Sequence, residues 1–311
     1  MGDAEWLAEN FERQRPRLRA VAYRMLGSLA DADDAVQDAW MRVSRAGAED
    51  VENFGGWLTT IVARVALNML RSRARRPEEP LVVYIPDPVV GPDEASQPEE
   101  AALLADSVGL ALLVVLDTLT PDERLAFVLH DMFDLPFSEI AGLLSRTPGS
   151  AKQLASRARR RVRGAEIPAE PDLARQRQVV GAYFAAARQG DFDALVAVLH
   201  PDAVLRVDAG ARHPEGSFAI RGAAAVAMQA SGGAAAMPAT LHPVLVNGSA
   251  GAVITMHGQA VAVMAFTIAD GKIIEIDAIT DPERARKIAA AVLTSVEAHA
   301  TARAHYVPHG T

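Results

Sequence analysis

Residues 146–163 read RTPGSAKQLASRARRRVR, an 18-residue run that holds seven cations and no anion. The break at Arg146-Thr147-Pro148-Gly149 separates two helical patterns. Upstream, after Pro136, lies a short apolar-faced segment with Phe137, Ile140, Ala141, Leu143 and Leu144; downstream, a basic helix is expected from about Ser150 to Arg163. The pair is preceded by Thr120-Pro121-Asp122-Glu123, a capping box with proline at the first helical position. A short helix, a tight turn and a basic helix make a helix-turn-helix pattern. In the major groove its N-terminus would offer Ser150, Lys152 and Gln153 to base edges. Arg157, Arg159, Arg160, Arg161 and Arg163 would hold phosphates. A basic run alone is more often a solvated helix; the capped helix and the turn at the right distance favour DNA.

The remainder of the 311 residues sets the context. Their length suggests two domains or three small ones. The net charge is −8, which taken alone argues against a nucleic-acid partner. Its distribution reverses that reading, because the cations concentrate in 146–163 while residues 77–100 carry seven acids and no cation. The absence of cysteine excludes disulfides, zinc fingers and thiol catalysis, and fits a reducing cytoplasm. The charged N-terminus does not read as a secretory signal, and no apolar run is long enough to span a membrane. No metal site, cofactor or catalytic set is legible.

The pattern divides the chain at 1–76 (helical), 77–100 (acidic, proline-rich linker), 101–163 (helical), 164–172 (second linker), 173–290 (α+β) and 291–311 (tail). In the first segment Pro16 suits the first turn of a helix bearing Leu18, Val21, Ala22 and Met25, which Gly27 ends. Asp31 can cap a second helix and Asn53 a third, whose face of Trp57, Leu58, Ile61, Val62, Val65 and Met69 is expected to point inward. Arg64, Asn68, Arg71 and Arg73 fall mostly on other faces and could meet single-stranded DNA, although such a helix is more often an ordinary core helix. An apolar island, LVVYIP (81–86), interrupts the linker. Beyond 172, helices near 173–188, 192–199 and 221–230 and strand-like segments at 203–208, 241–247, 251–257, 259–268 and 272–279 predict a curved antiparallel sheet, with a final helix from about Pro282 to His299.

The segments AYRMLGS (22–28), DADDAVQDAW (31–40), GWLTTIVAR (56–64) and ALNMLR (66–71) resemble domain two of the extracytoplasmic-function sigma factors of RNA polymerase. LTPDERLAFV (119–128), FSEIA (137–141) and KQLASRAR (152–159) resemble domain four. The resemblance implies core RNA polymerase and promoter DNA as partners. It places Asp31, Asp34, Gln37, Asp38, Trp40 and Met41 on the polymerase. It places Trp57, Ile61, Arg64, Asn68, Arg71 and Arg73 on the downstream promoter element, and the helix from Ser150 on the upstream one. VVYIPDPV (82–89) resembles the linker motif of the SigJ-like group, which carries a SnoaL-like C-terminal domain. HDMF (130–133) and LASRAR (154–159) are also similar to that group. VDAGAR (207–212) and Asp281-Pro282 stand at two further motifs of the group. Tyr84 replaces a tryptophan, Ala209 and Ala211 replace glycines, and Arg284 is the nearest cation after the proline.

The expected fold is therefore two all-α sigma domains, the second with a helix-turn-helix, plus a cone-shaped SnoaL-like α+β domain. In this group the third domain stands in for a separate anti-sigma protein. Its expected regulatory contacts are Tyr84, Pro86, Pro88, Asp208, Gly210, Arg212, Asp281 and Pro282. Two other readings stay open: a ligand-responsive helix-turn-helix regulator, and a SnoaL-like enzyme fused to a DNA-binding module. For the enzyme, Asp208, His242, His257 and Asp277 are the polar candidates, and an Asp–His pair would have to come within hydrogen-bond reach. A small-molecule ligand in the third domain is conceivable, no membrane partner is expected, and the free chain is expected to be a monomer.

Overall fold

A computed structural model describes residues 3–46, 51, 53–75, 83–92, 109–165, 170–234 and 239–305. The chain divides into two units, one of residues 1–80 and 102–166 and the other of residues 81–101 and 167–311. The described part of the segment read as an acidic linker, 83–92, belongs with the C-terminal unit. Linker residues 77–82 and 93–100, Arg76, residues 166–169 and the tail beyond His305 lie outside the described residues.

The first unit opens with α1 (Asp3–Leu26), α2 (Leu29–Ala46) and α3 (Phe54–Arg75). Pro16 does not start α1 but sits inside it. An interior proline costs about 3 kcal/mol, and burial offsets it here. Leu7 and Phe11 carry the apolar stripe of Leu18, Val21, Ala22 and Met25 upstream, and all six are buried. Gly27 ends the helix at φ +70°, its N–H donating to Tyr23 O at 2.8 Å. Ser28, not Asp31, caps α2: its Oγ accepts from Asp31 N at 3.4 Å, and Asp31 lies in the first turn. Asn53 caps α3 as expected, accepting from Gly56 N at 3.0 Å.

Among the described residues this unit continues with α4 (Leu110–Asp117), α5 (Pro121–Phe127), α6 (Phe137–Leu144) and α7 (Pro148–Ala165). The capping box forms as read, with Thr120 Oγ1 accepting from Glu123 N and Glu123 Oε2 accepting from Thr120 N. A π-helical turn over Val128–Met132 continues α5, a feature the apolar pattern does not signal. Ser145 in the left-handed region ends α6 at φ 55°. Thr147 Oγ1 accepts from Ser150 N at 3.2 Å, so α7 begins at Pro148 rather than Ser150. The buried Arg124 ties the two helical modules: its Nε donates to Arg24 O at 3.1 Å and its Nη1 to Asp117 at 3.0 Å.

The C-terminal unit holds α8 (Leu173–Gln189), α9 (Phe192–Val198), α10 (Ala223–Ala234) and α11 (Pro282–His305). Its strands are β1 (Val90–Pro92), β2 (Leu199–Asp208), β3 (Phe218–Arg221), β4 (Ala239–Val246), β5 (Ser249–Met256), β6 (Gln259–Ala269) and β7 (Lys272–Ile279). They form one sheet of order β1-β4-β5-β6-β7-β2-β3. It is mixed rather than antiparallel, because β2 pairs with β7 in parallel. The chain turns from β2 into the antiparallel β3, passes through α10 and returns through the β4–β7 meander, whose last strand runs the same way as β2. β1 and β3 were not expected; at three and four residues they are too short for a period-two pattern to register. Tyr183, Phe184 and Phe266 meet edge to face at 5.4 to 5.6 Å in the core, beside Leu195, Leu205, Ile273 and Ile276. The last helix runs to His305, past the expected end near His299 and through much of the segment read as a tail.

Thr120→Ala removes one half of the capping box and should destabilise the first unit by about 1 kcal/mol. Trp6, Trp40 and Trp57, the three tryptophans of the chain, all lie in that unit. Their fluorescence therefore reports its urea transition, and the midpoint should fall; an unchanged midpoint would contradict the capping role.

Candidate functional site

The basic helix α7 presents its polar residues on two distinct faces. Lys152, Gln153, Arg160 and Arg163 are exposed and, at 100° per residue, share roughly a third of the helix circumference. Ser150, Arg157 and Arg161 lie on the adjoining flank. There Arg157 Nε and Arg161 Nη1 donate to the Glu123 carboxylate at 3.1 and 2.8 Å. Arg159 pairs with Asp131 at 2.6 Å. Glu123 thus caps α5 and anchors α7 at once. Burial raises its pKa, and the bonds from Thr120 and the two arginines overcome that and hold it below the ordinary glutamate value.

The outward face of α3 differs from the one that the apolar periodicity alone predicts. Leu58, Val62, Ala63, Val65, Ala66 and Leu67 are buried. Trp57 and Ile61, expected inside, are half-buried and share one face with the exposed Arg64 and Asn68. Arg71 continues that face and donates to Asp122 at 2.8 Å. Arg73 lies on the other side, paired with Asp31 at 2.5 Å. On α2, Asp34, Gln37, Asp38 and Met41 share a face. Asp38 pairs with Arg42 at 2.8 Å, and Met41 is 43% exposed. Trp40 points elsewhere, its ring 4.9 Å from that of Phe11.

Asp122 joins the two helical modules. Its carboxylate accepts from Arg71 of α3 at 2.8 Å and from Arg146 of the helix-turn-helix break at 3.0 Å. Burial pushes its pKa up, but the two guanidinium groups outweigh that and lower it.

In the C-terminal unit one cluster gathers most of the expected regulatory residues. Asp208 is fully buried; its carboxylate accepts from Ile85 N at 2.9 Å, Gly210 N at 2.9 Å and Arg284 Nη1 at 2.7 Å. Arg284 also donates to Ile85 O at 2.6 Å and to Asp87 at 2.7 and 2.9 Å, and its guanidinium lies 5.4 Å from the centre of the Tyr84 ring. Burial disfavours its charge, but Asp87 and Asp208 more than compensate and raise its pKa. Pro86 and Pro88 are buried beside it. Asp281 caps α11, accepting from Glu283 N and Arg284 N. Gly210 has φ +80°, and a Cβ there would strike the Asp281 carboxylate, so a residue other than glycine is excluded twice over. Pro282 opens α11. Arg212 is not brought in: it is 80% exposed and pairs with Glu283 at 3.4 Å.

A second anchor was missed. Asn247 accepts from Val89 N at 2.7 Å and donates its own N–H to Val89 O at 2.8 Å, after which β1 pairs with β4. Asn247-Gly248 is a tight-turn signal in the sequence, and the φ of 47° at Asn247 agrees with that. Asp87, an acid between two prolines directly after the apolar island, was the available signal for the first anchor.

The Asp–His pair of the enzyme reading is not among the bonds formed. Asp208 is occupied as described, His242 Nε2 lies 2.9 Å from Thr255 Oγ1, and His257 sits at φ 50° in the β5–β6 turn. Asp277 is 2% exposed and pairs with Arg206 at 2.9 Å. Burial outweighs that pairing and pushes its pKa up to about 6. A groove of about 170 Å³ lies beside α8, lined by Val180, Phe184, Leu241, Pro243 and Ala252 with Arg177 at its side. That is below the roughly 300 Å³ at which drug-sized pockets begin. Among the described residues no cluster could hold a metal ion, and no helix is long and apolar enough to cross a membrane.

Two outcomes follow. Folded Asp277 keeps its proton to higher pH than an unfolded aspartate, so between about pH 4 and 6 the folded state binds more protons. This group's contribution to stability is therefore full at low pH and falls as pH rises through that window. Asp277→Asn should flatten the thermal stability profile there; an unchanged slope would contradict it. Asp122→Ala removes two ion pairs that are largely solvent-facing on the arginine side, and should cost about 1 kcal/mol or less in first-unit stability, read by tryptophan fluorescence.

Three family models match in order: Sigma-70 region 2 at residues 11–76, Sigma-70 region 4 at 109–162 and the SnoaL-like domain at 180–276. The chain is 38% identical to the ECF RNA polymerase sigma factor SigJ of Mycobacterium tuberculosis over 288 residues, covering 88% of this chain and 91% of that one. It is 35% identical to the probable ECF RNA polymerase sigma factor SigI of the same organism, over 63% of this chain and 67% of that one. The crystal structure of Mycobacterium tuberculosis SigJ superposes with a TM-score of 0.69 at 34% identity, covering 89% of this chain and 97% of that one. With both sigma regions, the fused third domain and this extent of identity, the chain belongs to the extracytoplasmic-function RNA polymerase sigma factors, in the SigJ-like group with a SnoaL-like C-terminal domain.

Proposed function

We propose that the chain binds core RNA polymerase, confers promoter specificity on it, and is restrained by its own C-terminal domain in place of a separate anti-sigma protein. The coarser part follows from the family, which directs promoter recognition with RNA polymerase. In this reading the α2 face of Asp34, Gln37, Asp38 and Met41 meets the polymerase. The α3 face of Trp57, Ile61, Arg64 and Asn68 meets the melted downstream element. Lys152, Gln153, Arg160 and Arg163 of α7 meet the upstream element, while Arg157, Arg159 and Arg161 fix that helix against Glu123 and Asp131.

The regulatory part rests on one observation: the connection between the two helical modules is bound into the C-terminal unit through Asp208, Arg284 and Asn247. A connection held at both ends of 85–92 has a limited span. A promoter complex that needs a longer span must draw this segment out. Polymerase can do so only by the margin with which it prefers the released form.

Run-off transcription with core polymerase tests the whole reading. Full-length chain should initiate at selected genomic promoter fragments, and Arg284→Ala should raise the output at least severalfold. No initiation by either protein would contradict the sigma function. Equal output from both would contradict the restraint. Tight duplex binding without polymerase would point instead to a conventional regulator. Arg160→Ala should lower the salt dependence of promoter binding by about one counterion.

A further inference from the structure

Trp6 is one of four large apolar side chains that the described residues leave exposed, at 43%. It alone among them belongs to an aromatic cluster. Its ring meets Phe54 edge-on at 5.3 Å, and Phe54 lies 5.9 Å from Trp57. Phe54 opens α3 on the same face as Trp57, Ile61, Arg64 and Asn68, all within roughly a third of the circumference. The three rings therefore prolong the outward face of α3 onto α1. Anchoring α1 does not require this: Leu7 and Phe11 already bury themselves one and five residues farther on. Trp6 covers the outer edge of Phe54 and leaves much of its own indole open to solvent.

An open indole next to two further rings, with an exposed guanidinium (Arg64) and a side-chain amide (Asn68) farther along the same face, has the chemistry of a base-binding surface. Stacking is indifferent to sequence, the cation serves the phosphate, and the amide can read a Watson–Crick edge. We propose that Trp6 is a stacking residue for an unpaired base of the melted downstream element, extending the reading face beyond α3. The inference rests on the proposed role of that face. A protein surface of the polymerase is the alternative occupant, and the test separates the two.

The probe is the holoenzyme of core polymerase and full-length chain on a promoter fragment chosen by run-off transcription, with 2-aminopurine placed in turn at each non-template position of the downstream element. In the wild type at least one position should stay quenched by stacking as the complex opens, while other unpaired positions brighten. Trp6→Ala should remove that quench and lower open-complex formation about tenfold (about 1.4 kcal/mol), with its affinity for core polymerase unchanged. Trp6→Phe, which keeps a ring and the contact with Phe54, should restore most of the opening. If Trp6→Ala lost core polymerase affinity, or if both variants opened the promoter like wild type, the inference would be wrong. Asn68→Ala distinguishes the levels. Impaired opening there with a neutral Trp6→Ala overturns only this inference, whereas both being neutral overturns the assignment of the α3 face as well. Should Trp6→Ala fail to fold by its thermal melt, the Trp6→Phe quench decides: a quench lost although the ring is retained would overturn the inference, and a quench kept would support it.

Discussion

A buried carboxylate and a half-buried guanidinium govern the C-terminal unit. Asp208 has no exposed surface, and an unpaired charge there would cost several kcal/mol. It is satisfied only by assembling three parts of the chain: its own turn through Gly210, the last helix through Arg284, and the backbone of the segment at Ile85. Arg284 in turn needs Asp87 and the Ile85 carbonyl from that segment. The segment is thus not merely adsorbed through apolar contact. It completes a charge network that neither the sheet nor the helix could close alone, and withdrawing it would leave Arg284 and Asp208 short of partners together. Such a network loses several partners at once when one part is withdrawn, which is the property the proposed restraint would need.

The first unit uses acids in a comparable way. Glu123 and Asp122 are neighbours in sequence, yet they take different arginines. Glu123 holds Arg157 and Arg161 on the flank of α7, whereas Asp122 holds Arg71 and Arg146 across the two modules. The cations of the basic stretch are sorted by this into those that position the helix and those that face outward. Arg71 and Arg146 occupy the contact between the modules, where a phosphate would compete with the same carboxylate for them.

The helical part of the fold was largely legible because its signals are local. The capping box at Thr120, the stop at Gly27, the cap at Asn53 and the helix-turn-helix break are each set by a few consecutive residues. The cluster around Asp208 was legible in part: Asp208, Gly210, Tyr84, Pro86, Pro88 and Asp281 converge, and Arg284, the cation after Pro282, joins them where Arg212 does not. What escaped was non-local. The parallel pairing of β2 with β7 joins segments about 70 residues apart. Asn247 reads as a turn residue and also binds Val89, more than 150 residues away. Pro16 was misplaced because the local rule for proline competes with an apolar stripe that extends through it, and the stripe prevails. Trp57 and Ile61, on the apolar stripe read as inward, are only half-buried for a related reason. A helix with so many apolar positions has more than one face that could be its core, and only the packing against α1 decides between them.

Hydrogen exchange at the amides of Ile85 and Val89 tests the account most directly, because both are bonded to side chains of the C-terminal unit and neither belongs to a helix. In the free chain they should exchange as slowly as amides of β5 and β6, and core polymerase should speed that exchange. Rapid exchange in the free chain, or slow exchange that core polymerase leaves unchanged, would contradict a connection held by the third domain and released for transcription.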